Sequence, residues 1–126
     1  MYMSIRDNIM LMLGEEPNQK REKNENKARN MIEDFLGPLF YKMAKENPDS
    51  RYFEIIFTCT TMNLGIYYTC KTENSHNKNF QEHYDFKYST DVLDAALIVA
   101  PKYDISVSSF DINRFEHVYS FSIDIR

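Results

Sequence analysis

Residues 53–72, FEIIFTCTTMNLGIYYTCKT, constrain the fold more tightly than any other part of the chain. β-Branched and aromatic residues fill the stretch, and successive strand residues point to opposite faces of a sheet, so it reads as two strands joined near Met62 and Asn63. Centring the turn there sets Thr61 opposite Leu64 and Cys59 opposite Ile66. Phe53, Ile55, Phe57 and Cys59 then share one face with Leu64, Ile66, Tyr68 and Cys70, and that face is expected beneath a helix. Cys70 lies four positions beyond Ile66, on the order of 13 Å from Cys59, too far for a disulfide. Both cysteines are therefore expected as buried thiols. With only 2 cysteines in the chain, neither a disulfide scaffold nor a CxxC zinc site is available.

The second face of the hairpin is mixed rather than polar. It carries Tyr52, Glu54, Ile56, Thr58 and Thr60 against Gly65, Tyr67, Thr69 and Lys71. Two arrangements satisfy it. Either the N-terminal helix packs behind the hairpin and covers it, or Tyr52, Ile56 and Tyr67, with Met62 at the turn, form a contact patch for another protein. Tyrosine suits the second arrangement, because its ring contributes area while its hydroxyl tolerates water.

Upstream, Ile5, Ile9, Met12 and Leu13 fall on one helical face after a Ser4 cap, and Gly14 ends the run. This helix is expected to dock on the rest of the domain. After Pro17 the solvated run NQKREKNENK opens a longer helix, 18–46, with an apolar stripe at Ala28, Met31, Ile32, Phe35, Leu36, Leu39, Phe40 and Met43. Gly37-Pro38 interrupts it, since proline lacks an amide donor, and a kink or restart is expected there.

Downstream, QEHYDFKY at 81–88 alternates as a third strand after a polar loop at 72–80. Ser89, Thr90 or Asp91 can cap a helix near 91–100, in which Ile98 and Val99 would also suit a strand. Two further strands follow, one with Tyr103, Ile105 and Val107 on one side, the other with His117, Tyr119, Phe121, Ile123 and Ile125. The expected fold is a single α+β domain over 1–126, in three parts. These are a short helix within 1–14, the long helix at 18–46 kinked near Gly37-Pro38, and 51–126 as a mostly antiparallel sheet of about five strands with the inserted helix. The helices are placed on one face. This order of elements resembles that of the small acidic chaperones of type III secretion, which carry a further helix after their last strands that this reading does not find.

The chain has 126 residues, 43% apolar and 27% charged, within the range of ordinary folded domains. A net charge of −4 offers no broad cationic field for a phosphate backbone, so nucleic-acid binding is disfavoured. No segment reaches the roughly 20 apolar residues of a bilayer span, and the N-terminal apolar run is too short for a secretory signal. A cytoplasmic location with no membrane partner is the expectation.

Catalytic patterns are sparse. Gly14, Gly37 and Gly65 stand apart, so no phosphate-cradling loop exists, and no serine is flanked as in a nucleophile elbow. Glu82-His83 and Glu116-His117 repeat a pair, but adjacent strand residues face opposite ways, so neither glutamate orients its histidine. His83 and His117 are expected on opposite sides of the sheet. His83 and Asp85 share a face and could line a cleft, while His76 lies in the polar loop. Asp104, Asp111, Glu116 and Asp124 read as a solubilising acidic rim. No catalytic residue, metal ligand or cofactor is expected. The function expected is non-catalytic protein binding, as an inhibitor or adaptor that masks a surface, in the manner of phage or mobile-element counter-defence proteins by analogy alone. The partner is another protein or a second copy in a homodimer. The alternatives are a small enzyme or ligand-binding domain around His83 and Asp85, and a secretion-type chaperone.

Overall fold

Apolar residues at helical spacing before residue 46 and alternating apolar residues after residue 51 meet as two layers. The computed structural model describes residues 5–12, 17–60, 66–73, 80–82 and 88–126. Helix α1 (Ile5–Met12) precedes a helical run made of α2 (Pro17–Met31), a π-helical turn (Ile32–Leu36) and α3 (Gly37–Glu46). Strands β1 (Tyr52–Thr60), β2 (Ile66–Thr72) and β3 (Phe80–Glu82) follow, then α4 (Thr90–Val99), a 3-10 turn (Ala100–Tyr103), β4 (Ser106–Asn113) and β5 (Glu116–Asp124). The class is α+β. The sheet runs β3-β2-β1-β5-β4 with every neighbouring pair antiparallel. Four strands of seven to nine residues carry it and β3 adds a stub of three residues at one edge, so the expectation of about five strands is slightly off while the class fits.

The core forms where the stripe Ala28, Met31, Ile32, Leu36, Phe40 and Met43 meets alternate residues of β1, β2 and β5. Phe57 sits within it, edge-on to Phe121 with centroids 5.8 Å apart, while Phe35 of the π-helical turn stands edge-on to Tyr68 at 5.6 Å. Such edge-to-face pairs each add about 0.5–1.5 kcal/mol beyond area burial. Val92, Leu93, Ala96 and Val99 of α4 close the same side, so Val99 belongs to a helix and Ile98 is exposed. Ser89 caps α4, its hydroxyl accepting from the Val92 amide at 3.4 Å. Cys59 pairs with Ile66 and Cys70 with Ile55, the register expected from the sequence, and both thiols are free and buried.

The interruption expected at Gly37-Pro38 lies immediately upstream. The Gly37 amide donates to the carbonyl of Ile32, five residues back, which widens one turn. In a regular helix the Pro38 ring would strike the carbonyl four residues before it, and the wider turn relieves that conflict. A Cβ on Gly37 would come within 3.1 Å of the same Ile32 oxygen.

Other expectations need correction. Ile5, Ile9 and Met12 of α1 are exposed rather than docked, and α1 neighbours α2 rather than lying behind the hairpin. Tyr103 belongs to the 3-10 turn, not to a strand. The third strand occupies 80–82, and most of the segment expected to form it lies outside the described residues, as do Met62, His76, His83 and Asp85. The proposed cleft around His83 and Asp85 therefore has no structural description. No described helix is long and apolar enough to cross a membrane.

Candidate functional site

Antiparallel pairing sets the side chains of the sheet's other face into cross-strand rows. One row runs Tyr67, Thr58, Val118, Phe110 across β2, β1, β5 and β4. The next runs Thr69, Ile56, Ser120, Ser108, and a third Lys71, Glu54, Ser122, Ser106. The first two rows make a band of aromatic and aliphatic groups interleaved with hydroxyls, and the third is polar. Val118, only 3% exposed, is buried yet stands outside the main core, because it belongs to this second face. Phe110 beside it is 53% exposed. Ser120 is also buried, and its hydroxyl donates to Glu54 Oε2 at 2.5 Å.

Of the residues expected in a contact patch, Tyr67 and Ile56 occupy adjacent rows and are half-buried. Tyr52 does not join them. Six positions along β1 separate Tyr52 from Thr58, the partner of Tyr67, about 20 Å at strand rise. The Arg126 guanidinium lies over the Tyr52 ring, 4.9 Å from its centroid, and also donates to Asp124. That pairing holds the Asp124 carboxyl down at about 2. Burial, then the neighbouring Glu54 charge, raises the Tyr52 hydroxyl above its ordinary range.

Of the acidic residues expected as a solubilising rim, Asp104, Asp111 and Asp124 are exposed and Glu116 is half-buried. Asp104 ends the 3-10 turn with a left-handed φ of 61°, Asp124 is held by Arg126, and Glu116 accepts from Asn113 at 3.1 Å. Asp111 instead accepts from His117, with Oδ1 2.5 Å from Nδ1. On the other side of that imidazole, Nε2 lies 2.5 Å from Ser109 Oγ, and the ring stands edge-on to Tyr119 at 4.7 Å. Serine, histidine and aspartate thus form one hydrogen-bonded line across β4 and β5, on the helix side of the sheet.

A cleft of about 350 Å3 opens beside the π-helical turn, with Ile32, Phe40, Ile105 and Ile123 along it. Tyr103 Oη donates to Glu33 Oε1 at 3.0 Å across its rim. Among the described residues, no three His, Cys, Asp or Glu side chains gather as a metal-ligand set.

No protein-family model matches the chain, and no curated protein or solved structure is significantly similar to it.

Sequence reasoning missed Phe110 and the Ser109–His117–Asp111 line. Both follow from the β4–β5 register, in which Phe110 meets Val118 and Asp111 meets His117. The turn was visible in SSFDINRFEHVYS, where Asn113 pairs with Glu116, but a one-residue shift at Ile112 then sets Asp111 opposite His117. Burial pushes the Cys59 and Cys70 thiols up to about 11, which disfavours the thiolate a nucleophile needs.

Proposed function

We propose that this chain is a protein-binding module that acts by covering a surface of its partner with the open face of its sheet. The observation that carries this reading is the row Tyr67, Thr58, Val118, Phe110, flanked by Ile56. The Tyr67 and Phe110 rings and Ile56 supply area, and tyrosine and phenylalanine are enriched at the centre of protein interfaces, while the half-buried Thr58 and Thr69 hydroxyls lie beside them. The polar row Lys71, Glu54, Ser122, Ser106 forms a rim on one side. Four strands about 4.8 Å apart and some 20 Å long make roughly 400 Å2 in plan, about half of what each partner contributes to a standard interface. Contact therefore extends past the face to the β4–β5 end of the sheet, where Ile112 and Phe115 are exposed. The partner is another protein or a second copy of this chain, and the mode of action is steric masking, as an inhibitor or adaptor.

The test is retention of partners from a host lysate by the tagged chain and by a Tyr67→Ser/Phe110→Ser variant, with sedimentation of each alone. One protein held stoichiometrically, or a dimer, that is lost in the variant at unchanged melting temperature is the expected result. Equal retention by both proteins, or a monomer that holds nothing, overturns the reading.

A further inference from the structure

The line Ser109, His117, Asp111 stands apart from the proposed binding face and does not depend on it. Asp111 accepts only, so Nδ1 of His117 carries the proton, Nε2 presents its lone pair, and the Ser109 hydroxyl donates to it. That polarity is the one a serine needs to become a nucleophile: a base on the hydroxyl and a carboxylate fixing the tautomer of the base. Ser109 is exposed, so an incoming carbonyl can reach it.

The backbone supplies a further group. The Ile125 amide donates to the Arg51 carbonyl at 2.8 Å, which makes that pair hydrogen-bonded in the β1–β5 ladder. Pairs alternate along an antiparallel ladder, so Tyr119 and Phe121 turn their backbone groups toward β1, and Val118, Ser120 and Ser122 turn theirs toward β4. Their β4 partners, Phe110, Ser108 and Ser106, point inward. Val107, Ser109 and Asp111 therefore direct their amides and carbonyls to the outer edge of β4, which no described strand covers. The Ser109 amide is thus a donor beside its own hydroxyl, in position for an oxygen that gains charge during attack at Oγ.

From this geometry we propose that Ser109 is an acyl-accepting nucleophile toward small activated esters, with His117 as general base and Asp111 as the residue that positions it. As Ser109 Oγ bonds to the acyl carbon, its proton passes to His117 Nε2 and the carbonyl π pair moves onto oxygen, facing the Ser109 amide. The pair returns, the bond to the leaving oxygen breaks, and that oxygen takes the proton from His117. A water, deprotonated by the same nitrogen, then releases the acid and restores the hydroxyl. Ester and water give acid and alcohol, with no change of oxidation state. Val107 lies about 7 Å along β4 on the same side and offers apolar contact for a short acyl chain. The charged and titratable groups around the imidazole are Asp111 from β4, Cys59 opposite it on β1, Tyr119 beside it, and Asp94 of α4 through the Tyr119 hydroxyl. Asp111 is 77% exposed at its side chain and His117 35%, so solvent screens the line and the base acts at the low end of its usual range, about 10²-fold.

The test uses p-nitrophenyl acetate and a fluorophosphonate probe on the intact chain, with Ser109→Ala, His117→Gln and Asp111→Asn and a melting curve for each. Nitrophenol release is expected to fall by about 10²-fold in Ser109→Ala and in His117→Gln. The probe mass should map to Ser109. Release by the parent is followed across a range of pH. Asp111→Asn should lower the rate across that profile without removing the probe site, because an amide that donates to Nδ1 turns the other tautomer toward Ser109. Release unchanged in Ser109→Ala, or probe absent from Ser109 in a folded parent, overturns the proposal. Release lost in His117→Gln but kept in Ser109→Ala would make the imidazole itself the nucleophile and overturn it equally.

Discussion

Ile55 and Ile56 are the same residue type, adjacent in one strand, yet they belong to different environments. Ile55 is 0% exposed beneath the helices, and Ile56, on the other side of the sheet, is half-buried. The difference follows from strand parity alone, and it shows how one hairpin can be apolar on both sides without being buried on both. One side forms the main core, and the other would be the contact side under the proposed function. The largest expected effect tests this directly. Ile55→Ala should cost about 2–5 kcal/mol, since a close-packed site keeps the cavity, whereas Ile56→Ala should cost about 1 kcal/mol or less, because it loses only part of its contact area. Urea unfolding of both variants measures the gap. Equal costs would mean that the second side is covered as fully as the first.

The covered side also holds both thiols, which gives the comparison a pH dependence. Burial raises Cys59 and Cys70 from 9.0 to about 11, the Asp94 charge adding to the effect at Cys59 while Lys42 opposes it at Cys70. A group whose folded pKa lies above its unfolded value stabilises the fold fully below the unfolded pKa, and that contribution disappears as pH rises toward the folded one. Stability should therefore hold up to about pH 9 and fall between about 9 and 11, with Tyr119, raised by burial and by its bond to Asp94, adding to the loss at the upper end. Chemical denaturation at stepped pH measures the slope, and Cys70→Ala should flatten it. An unchanged slope in that variant would place the alkaline loss elsewhere.

How much was legible in the sequence depended on whether an element is governed by local pattern or by pairing at a distance. The β1–β2 register and the buried thiols follow from alternation and from a turn placed near Met62, all within twenty residues, and the α+β class follows once the helical stripe at Ala28–Met43 is added. The line through His117 was missed because Asp111 was grouped by charge with Asp104, Glu116 and Asp124, whereas the register shift between Asp111 and Asn113 is what sets it opposite the imidazole. Tyr52 was grouped with Tyr67 by parity, and parity is silent on distance along a strand or on a C-terminal Arg126 folding back over the ring. In α1 the periodic stripe predicted a helix correctly but not its packing, because amphipathicity states which side is apolar and not what meets it.

The smallest expected effect is the most discriminating. Phe110 and Val118 are direct cross-strand partners on the open side, one 53% exposed and the other 3%. Val118 is therefore buried while the Phe110 ring stays largely in solvent. Phe110→Ser removes a ring that already faces water, so it should shift stability by only about 0.5 kcal/mol, as ordinary surface substitutions do. An exposed ring gains weight as a contact residue only as part of a contiguous apolar patch, here with the exposed Ile112 and Phe115 at the same end of the sheet. If Phe110→Ser instead destabilised the chain as much as Ile55→Ala does, the ring would be packed in solution and the contact reading of this face would fall. A near-neutral effect on folding, together with loss of a captured partner or of a dimer, would separate the two sides of the sheet by what each is for.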